Sequence, residues 1–265
     1  MKLRAERFVI MEFLTAVHTD IGIKKSTNQD SALLLEAKSD VGNVLLAVIC
    51  DGMGGLAKGE VASAVVIRSF KEWFYTQLPE IMTLSDPKDR IFSSWEKIAF
   101  GCNDRIHDYS AKNSVTMGTT LIALLILGDK YYIINIGDSR AYRISDSLVQ
   151  LTKDQTFVQR EMDMGRMTYE EAKNSPQRNV LLQCIGASNF IEPDFFSGDV
   201  HTGEVYMLCS DGFRHIISSD EIYERLNPYV LVNEQSMNDN AVYLTELNKY
   251  RQELDNITVL LVKTA

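Results

Sequence analysis

Three apolar runs, TTLIALLIL (119–127), KYYIINI (130–136) and RAYRIS (140–145), follow one another with only short Gly-Asp turns at 128–130 and 137–139 between them. Each run is short, rich in β-branched or aromatic residues and bounded by turn formers, which reads as strand. A parallel connection needs a crossover of about a dozen residues or more, so strands joined by such turns pair antiparallel. A doubly wound parallel sheet is thereby excluded. Runs of the same kind stand at MEFLTAVHTD (11–20), SALLLEA (31–37), NVLLAVIC (43–50), EVYMLCS (204–210) and ITVLLV (257–262). Amphipathic helical patterns span about 59–78, with Val66, Phe70, Trp73 and Phe74 on one face, and about 88–110, with Ile91, Trp95, Ile98, Cys102 and Ile106. Two more lie near 219–227 and 238–252. The stretch 153–189 is polar and irregular and reads as a mobile insertion with helical pieces.

Composition removes several function classes. The net charge of -9, from 36 acidic and 27 basic residues without a basic cluster, disfavours a nucleic-acid surface. Four cysteines without C-x-x-C spacing indicate neither zinc nor a disulfide framework, hence a reducing compartment. The run FVIMEFLTAV (8–17) is short, carries Glu12 and lacks a small-residue cleavage site, so it reads as neither signal peptide nor membrane span. A cytoplasmic monomer with no membrane partner is expected.

The stretch CDGMGGLAKGE (50–60) ends an apolar run in the carboxylate of Asp51. Asp51 alone could simply cap the turn by accepting glycine amides. The glycines also fit G-x-G-x-x-A, a dinucleotide decoy, but the parallel βαβ unit that motif needs is missing and no G-K-[ST] of a P-loop exists. Repetition favours a third reading. SDG (210–212) ends the run VYMLC in the same way, and Asp255-Asn256 opens ITVLLV. If those ends meet, three carboxylates repel one another by several kcal/mol unless a cation neutralises them. Oxygen donors of this kind select magnesium or manganese over zinc. Gly52, lacking a side chain, lets its carbonyl approach the same ion. Two ions bridged by a carboxylate would hold a hydroxide for in-line attack on phosphorus.

Taken together and in order, TDIGIKKSTNQDS (19–31), CDGMGGLAKGEVAS (50–63), MGTTL (117–121), NIGDSRAYRI (135–144), LTKDQTFVQ (151–159), MLCSDGF (207–213) and DNITVLLV (255–262) resemble the bacterial branch of the metal-dependent protein serine/threonine phosphatases, the type 2C or PPM family. The resemblance implies an α+β fold, a four-layer αββα sandwich of two antiparallel β-sheets flanked by antiparallel helix pairs. It implies a single catalytic domain over 1–265 with a flap insertion at about 153–190. By position, Asp51, Asp211 and Asp255 carry catalysis as ligands of two core ions, manganese or magnesium, with the Gly52 carbonyl on one of them. Asp138 matches the ligand of a third, weaker ion shared with Asp211. Asp30 and Gln29 support the ions from behind, Asp30 through water, and Asn256 helps to hold Asp255.

Three positions depart from the family pattern. Lys25 stands where many members carry a substrate-binding arginine, and a lysine offers phosphate a point charge without the bidentate fork. Gln29 replaces a glutamate found in many relatives, and Met53 replaces a histidine proposed as general acid in animal relatives. His18, His107, His201 and His215 are unpaired by spacing and read as structural or exposed, and Cys50 as a packed core thiol. The resemblance thus implies hydrolysis of phosphoserine and phosphothreonine on proteins by direct attack of metal-bridged hydroxide, with phosphorylated substrates and a Ser/Thr protein kinase as partners. The competing readings are a catalytically inactive phosphoprotein-binding module of the same fold and a nucleotide-binding regulator.

Overall fold

The computed structural model describes residues 11–39, 42–53 and 58–265. The first three residues of the FVIMEFLTAV run, and Gly54, Gly55, Leu56 and Ala57 of the glycine-rich stretch, lie outside the described residues. In chain order the elements are β1 (Phe13–Asp20), β2 (Ser31–Ser39), β3 (Gly42–Cys50), β4 (Gly52–Met53), α1 (Gly59–Thr76), α2 (Leu78–Ile81), α3 (Lys88–Asn113), β5 (Gly118–Thr119), β6 (Leu121–Leu127), β7 (Lys130–Ile136), β8 (Arg140–Ile144), β9 (Leu148–Gln150), α4 (Phe157–Asp163), α5 (Tyr169–Lys173), β10 (Asp194–Asp199), β11 (Val205–Cys209), α6 (Asp211–Arg214), α7 (Ser219–Leu226), α8 (Glu234–Tyr250) and β12 (Ile257–Thr264).

Two antiparallel sheets, ordered β1-β12-β11-β8-β9 and β10-β7-β6-β3-β2, stack face to face. The apolar runs show no alternation because both faces of each sheet are covered. In β3, Leu45, Ala47 and Ile49 enter the layer between the sheets, where they meet Ile122, Leu124, Tyr206, Leu208 and Leu260. Leu46, Val48 and Cys50 point the other way, against Val66, Phe70 and Trp73 of α1 and Trp95 of α3. On the far side, Val205, Met207, Val259 and Leu261 pack against Met237, Ala241 and Leu244 of α8 and Ile222 of α7. The order helices, sheet, sheet, helices is the expected four-layer α+β sandwich. Among the described residues no helix is long and apolar enough to cross a membrane.

The turn at 128–130 makes the expected hairpin between β6 and β7. The one at 137–139 does not: β8 pairs with β9 and β11 in the other sheet. Gly137, at φ 104°, sits so close to Thr120 that a Cβ would lie 2.7 Å from its methyl group. That left-handed residue turns the chain as a corner from one sheet to the other, and a short connection is therefore no proof of pairing. The edge strand β10 was also not expected from the sequence, since DFFSGD has acidic ends and an internal glycine. The stretch 153–189 carries helical pieces, α4 capped by Thr156 and α5 by a Thr168–Glu171 capping box. Helix α8 begins at Glu234 rather than near 238 because Asn233 and Ser236 close another such box.

Candidate active site

Asp51 follows the last residue of β3, while Asp211 and Asp255 stand between β11 and β12 of the other sheet, and Asp138 occupies the corner between the sheets. All four line one cavity of about 420 Å³, together with Met53 and, between α5 and β10, Asn179, Leu181, Gln183, Cys184 and Ser188. The carboxylates therefore come from both sheets at the seam between them.

The backbone that presents them is tied down by uncharged partners. The Asp51 amide donates to Thr120 Oγ1 at 3.0 Å, and the Asp51 carbonyl accepts from Thr119 Oγ1 at 3.0 Å and the Thr120 amide at 2.9 Å. Thr120 Oγ1 in turn meets Ser139 Oγ at 2.8 Å, which links Asp51 to the corner carrying Asp138. Asn256 Oδ1 accepts from the Gln29 amide at 2.9 Å, while its Nδ2 donates to the carbonyls of Ile21 and Thr27. Lys25 Nζ lies 2.8 Å from Asp255 Oδ1. Gln29 acts through its main chain, its carbonyl accepting from the Gly52 amide at 3.2 Å and from Ser63 Oγ at 2.8 Å. Gly52 pairs with Thr119, and a Cβ there would lie 2.4 Å from the carbonyls of Gln29 and Gly59.

Gly212 is equally constrained. A Cβ at Gly212 would lie 2.1 Å from the Asn256 carbonyl oxygen, so the loops bearing Asp211 and Asp255 can meet only over a bare backbone. Gly212→Ala is expected to destabilise the fold by about 3 kcal/mol, read as a fall in urea midpoint at unchanged slope.

Electrostatically the site is short of cations. Burial, reinforced by the charges of Asp30, Asp211, Asp138 and Asp255, pushes the Asp51 carboxyl well above the ordinary range. Burial and the Asp255 charge raise Asp211 against the pull of Arg214. Burial, then the Asp211 charge, pushes Asp138 up to about 7. Burial likewise pushes Asp30 up to about 7, although Thr258 and Ser210 hydrogen-bond to it. Burial would lower the Lys25 ammonium, but the Asp255 hydrogen bond and the neighbouring carboxylates outweigh it and raise it. Asp30 Oδ1 and Asp211 Oδ1 are buried without a hydrogen-bond partner, and such orphans have a large desolvation cost.

This donor set fits hard divalent cations: oxygen only, anionic in excess, with an unsatisfied oxygen on Asp211. Among the described residues no three His, Cys, Asp or Glu side chains form a ready cage for one ion. The carboxylates instead ring a cavity, which suits ions that keep several waters and take only one or two protein ligands each. Asp30 does not line the cavity; its Oδ2 accepts from Ser210 Oγ at 2.9 Å, directly beneath Asp211 in the chain.

Sequence reasoning missed several residues here. His215, read as structural or exposed, lies 3.8 Å through Nε2 from Asp211 Oδ2 and 3.8 Å through Nδ1 from the buried Glu253. Its spacing of four from Asp211 was the available signal, hidden because the four-residue helix α6 is too short to show a period. Arg214 donates to the Asp138 carbonyl at 2.8 Å, and Arg140 grips Asp154 through two bonds of 2.7 Å. The four cysteines are buried and free, Cys50 among them.

Comparison with known proteins agrees with this architecture. The family model described as Protein phosphatase 2C matches residues 22–252. A putative protein phosphatase 2C-type from Streptococcus pyogenes is 34% identical over 93% of this chain and 96% of its own length. The solved structure of the S. agalactiae serine/threonine phosphatase superposes with a TM-score of 0.81 at 30% identity, covering 95% of this chain and 99% of that one. The catalytic domain of the serine/threonine protein phosphatase PstP, in complex with two manganese ions, superposes with a TM-score of 0.76 at 29% identity over 96% of this chain and 99% of its own. With a family match across most of the chain and the same two-sheet fold in its relatives, the chain belongs to the protein phosphatase 2C family of protein serine/threonine phosphatases.

Proposed function

We propose that the chain hydrolyses phosphoserine and phosphothreonine on proteins with the help of two divalent ions, manganese or magnesium, held by Asp51, Asp211, Asp255 and the Gly52 carbonyl. The observation that carries this reading is the ring of four carboxylates around one cavity, three of which, Asp51, Asp138 and Asp211, are raised by burial and by the neighbouring charges, with too few cations among the described residues to neutralise the ring. The manganese in the related PstP domain supports the metal class. Ions bound there would supply Lewis acidity toward the phosphoryl group and would activate water at neutral pH, chemistry that needs no phosphoenzyme.

The protein's own residues do the rest. Lys25, exposed at the cavity edge and paired to Asp255, offers the incoming phosphate a positive charge while keeping Asp255 in place. Asn256 and Asp30 fix the strands behind the ligands. Residues 153–190 serve as a flap within one catalytic domain, and Asn179, Leu181 and Gln183 on it border the path of a phosphorylated segment. A Ser/Thr protein kinase would be the natural source of such substrates.

Turnover of a phosphothreonine peptide is the test. With manganese present, the protein is expected to release phosphate, and both EDTA and Asp211→Asn are expected to abolish release. Tight peptide binding without phosphate release would instead establish an inactive phosphoprotein-binding module.

A further inference from the structure

Arg214 is a cation that the reaction as described does not use. Its side chain is only 10% exposed and stands beside the equally enclosed carboxylates of Asp138 and Asp154. Nη2 donates to the Asp138 carbonyl oxygen at 2.8 Å and lies 3.6 Å from Asp138 Oδ2 and 3.5 Å from Asp154 Oδ2. Arg140 Nε and Nη2 each bond Asp154 at 2.7 Å, and Arg140 Nη1 donates to Tyr142. Two guanidinium groups thus face two carboxylates across β8, the sheet-to-sheet corner, the base of the insertion and α6. This quartet is neutral by its own charges.

The rest of the cavity is not. Among the described residues Lys25 is the only lysine or arginine in a salt bridge with Asp51, Asp211 or Asp255; it is exposed and bonded to Asp255, and Arg214, though its charge draws on the Asp211 carboxyl, forms its salt bridges with Asp138 and Asp154 instead. The cavity rim is therefore divided into a side whose salt-bridge partner is the exposed Lys25 and a side whose carboxylate, Asp138, faces a buried guanidinium. A divalent ion settles where charge is uncompensated, because a fixed cation within about 4–6 Å opposes a second one.

We propose that Arg214 acts as a built-in cation on Asp138, positioning that carboxylate and excluding a metal ion from it, so that the chain holds its divalent ions on the Asp51–Asp211–Asp255 side alone. The inference rests on the metal-dependent reading above. It makes Arg214 a positioning residue, and it makes the ion count a property of this chain's own sequence.

Manganese binding to the full chain, counted by electron paramagnetic resonance and by calorimetry after stripping with a chelator, tests it. The unaltered protein is expected to bind two ions and show no third up to millimolar manganese. Arg214→Met is expected to gain a third ion at least about tenfold tighter than any weak third ion in the unaltered protein. Adding Asp138→Asn to it is expected to remove that ion again. Arg214→Gln, which can still donate to the Asp138 carbonyl, is expected to behave like Arg214→Met and covers the case in which the methionine variant fails to fold. Three ions of comparable affinity in the unaltered protein, or two ions in both Arg214 variants, would overturn the proposal while leaving the metal-dependent reading intact. No bound ion in the unaltered protein would instead overturn that underlying reading, and the proposal with it.

Discussion

Asp51→Asn is expected to lower manganese-dependent turnover by about three orders of magnitude or more, equivalent to about 4 kcal/mol of transition-state stabilisation, and at the same time to raise the melting temperature of the metal-free protein. The two effects share one cause. Asp51 opens on the cavity opposite Asp138, Asp211 and Asp255, and its ionised form is disfavoured first by burial and then by those charges. An amide of the same shape removes the repulsion and the anionic ligand together. The frame survives because Thr119 and Thr120 hold the main chain of residue 51 rather than its side chain. Each kcal/mol of relief shifts the midpoint by about 2–4 °C in a chain near this size. Activity lost through misfolding would come with a lower melting temperature, so the opposite signs separate the two explanations. Retention of a tenth of the turnover, or a fall in metal-free stability, would remove Asp51 from its proposed role.

The sequence carried the strands and the acidic positions at their ends because both are local features. A short apolar run bounded by turn residues reads as a strand wherever it is placed, and Asp51, Asp211 and Asp255 each lie within two residues of one. The sheet to which a strand belongs is not local. Residues 137–139 look like the hairpin turn at 128–130, and only the close approach of Gly137 to Thr120, which lies between β5 and β6, marks them as a corner. The threonines of MGTTL were legible only through family resemblance, since nothing in their spacing announces that they clamp Asp51 from 69 and 68 residues away. Arg214 and His215 were invisible for a related reason: α6 has a single turn, too short for periodicity to show which side chains turn back toward the site.

Stability should fall as pH rises in the metal-free protein, and manganese should offset that slope. Asp30 and Asp138 are displaced from an ordinary value of 3.8 to about 7, and Asp51 and Asp211 are raised as well. Between those pH values the folded chain keeps protons that the unfolded chain has released, so each unit of pH in that window lowers the free energy of unfolding. His18 and His215 work in the opposite sense, since burial lowers both imidazoles and the unfolded chain is the one that binds the proton. Four carboxyls against two imidazoles leave the carboxyls dominant, and the imidazole contribution ends once both states are neutral, above about pH 7.5. The metal-free melting temperature is therefore expected to drop by about 5–10 °C from pH 5.5 to pH 8, a loss on the order of a few kcal/mol. Divalent ions bind the ionised carboxylates and compete with protons, so saturating manganese adds little at pH 5.5 and about 3 kcal/mol at pH 8 when it exceeds its dissociation constant by about a hundredfold. Asp154 does not blur the reading, because Arg140 and Arg214 hold its carboxyl low despite burial and its contribution is lost only in stronger acid. Calorimetric scans at the two pH values, with EDTA and with manganese, decide the matter: a metal-free midpoint that is flat or rises with pH, or a manganese shift equal at both, would mean that these carboxyls do not face one another as an uncompensated cluster.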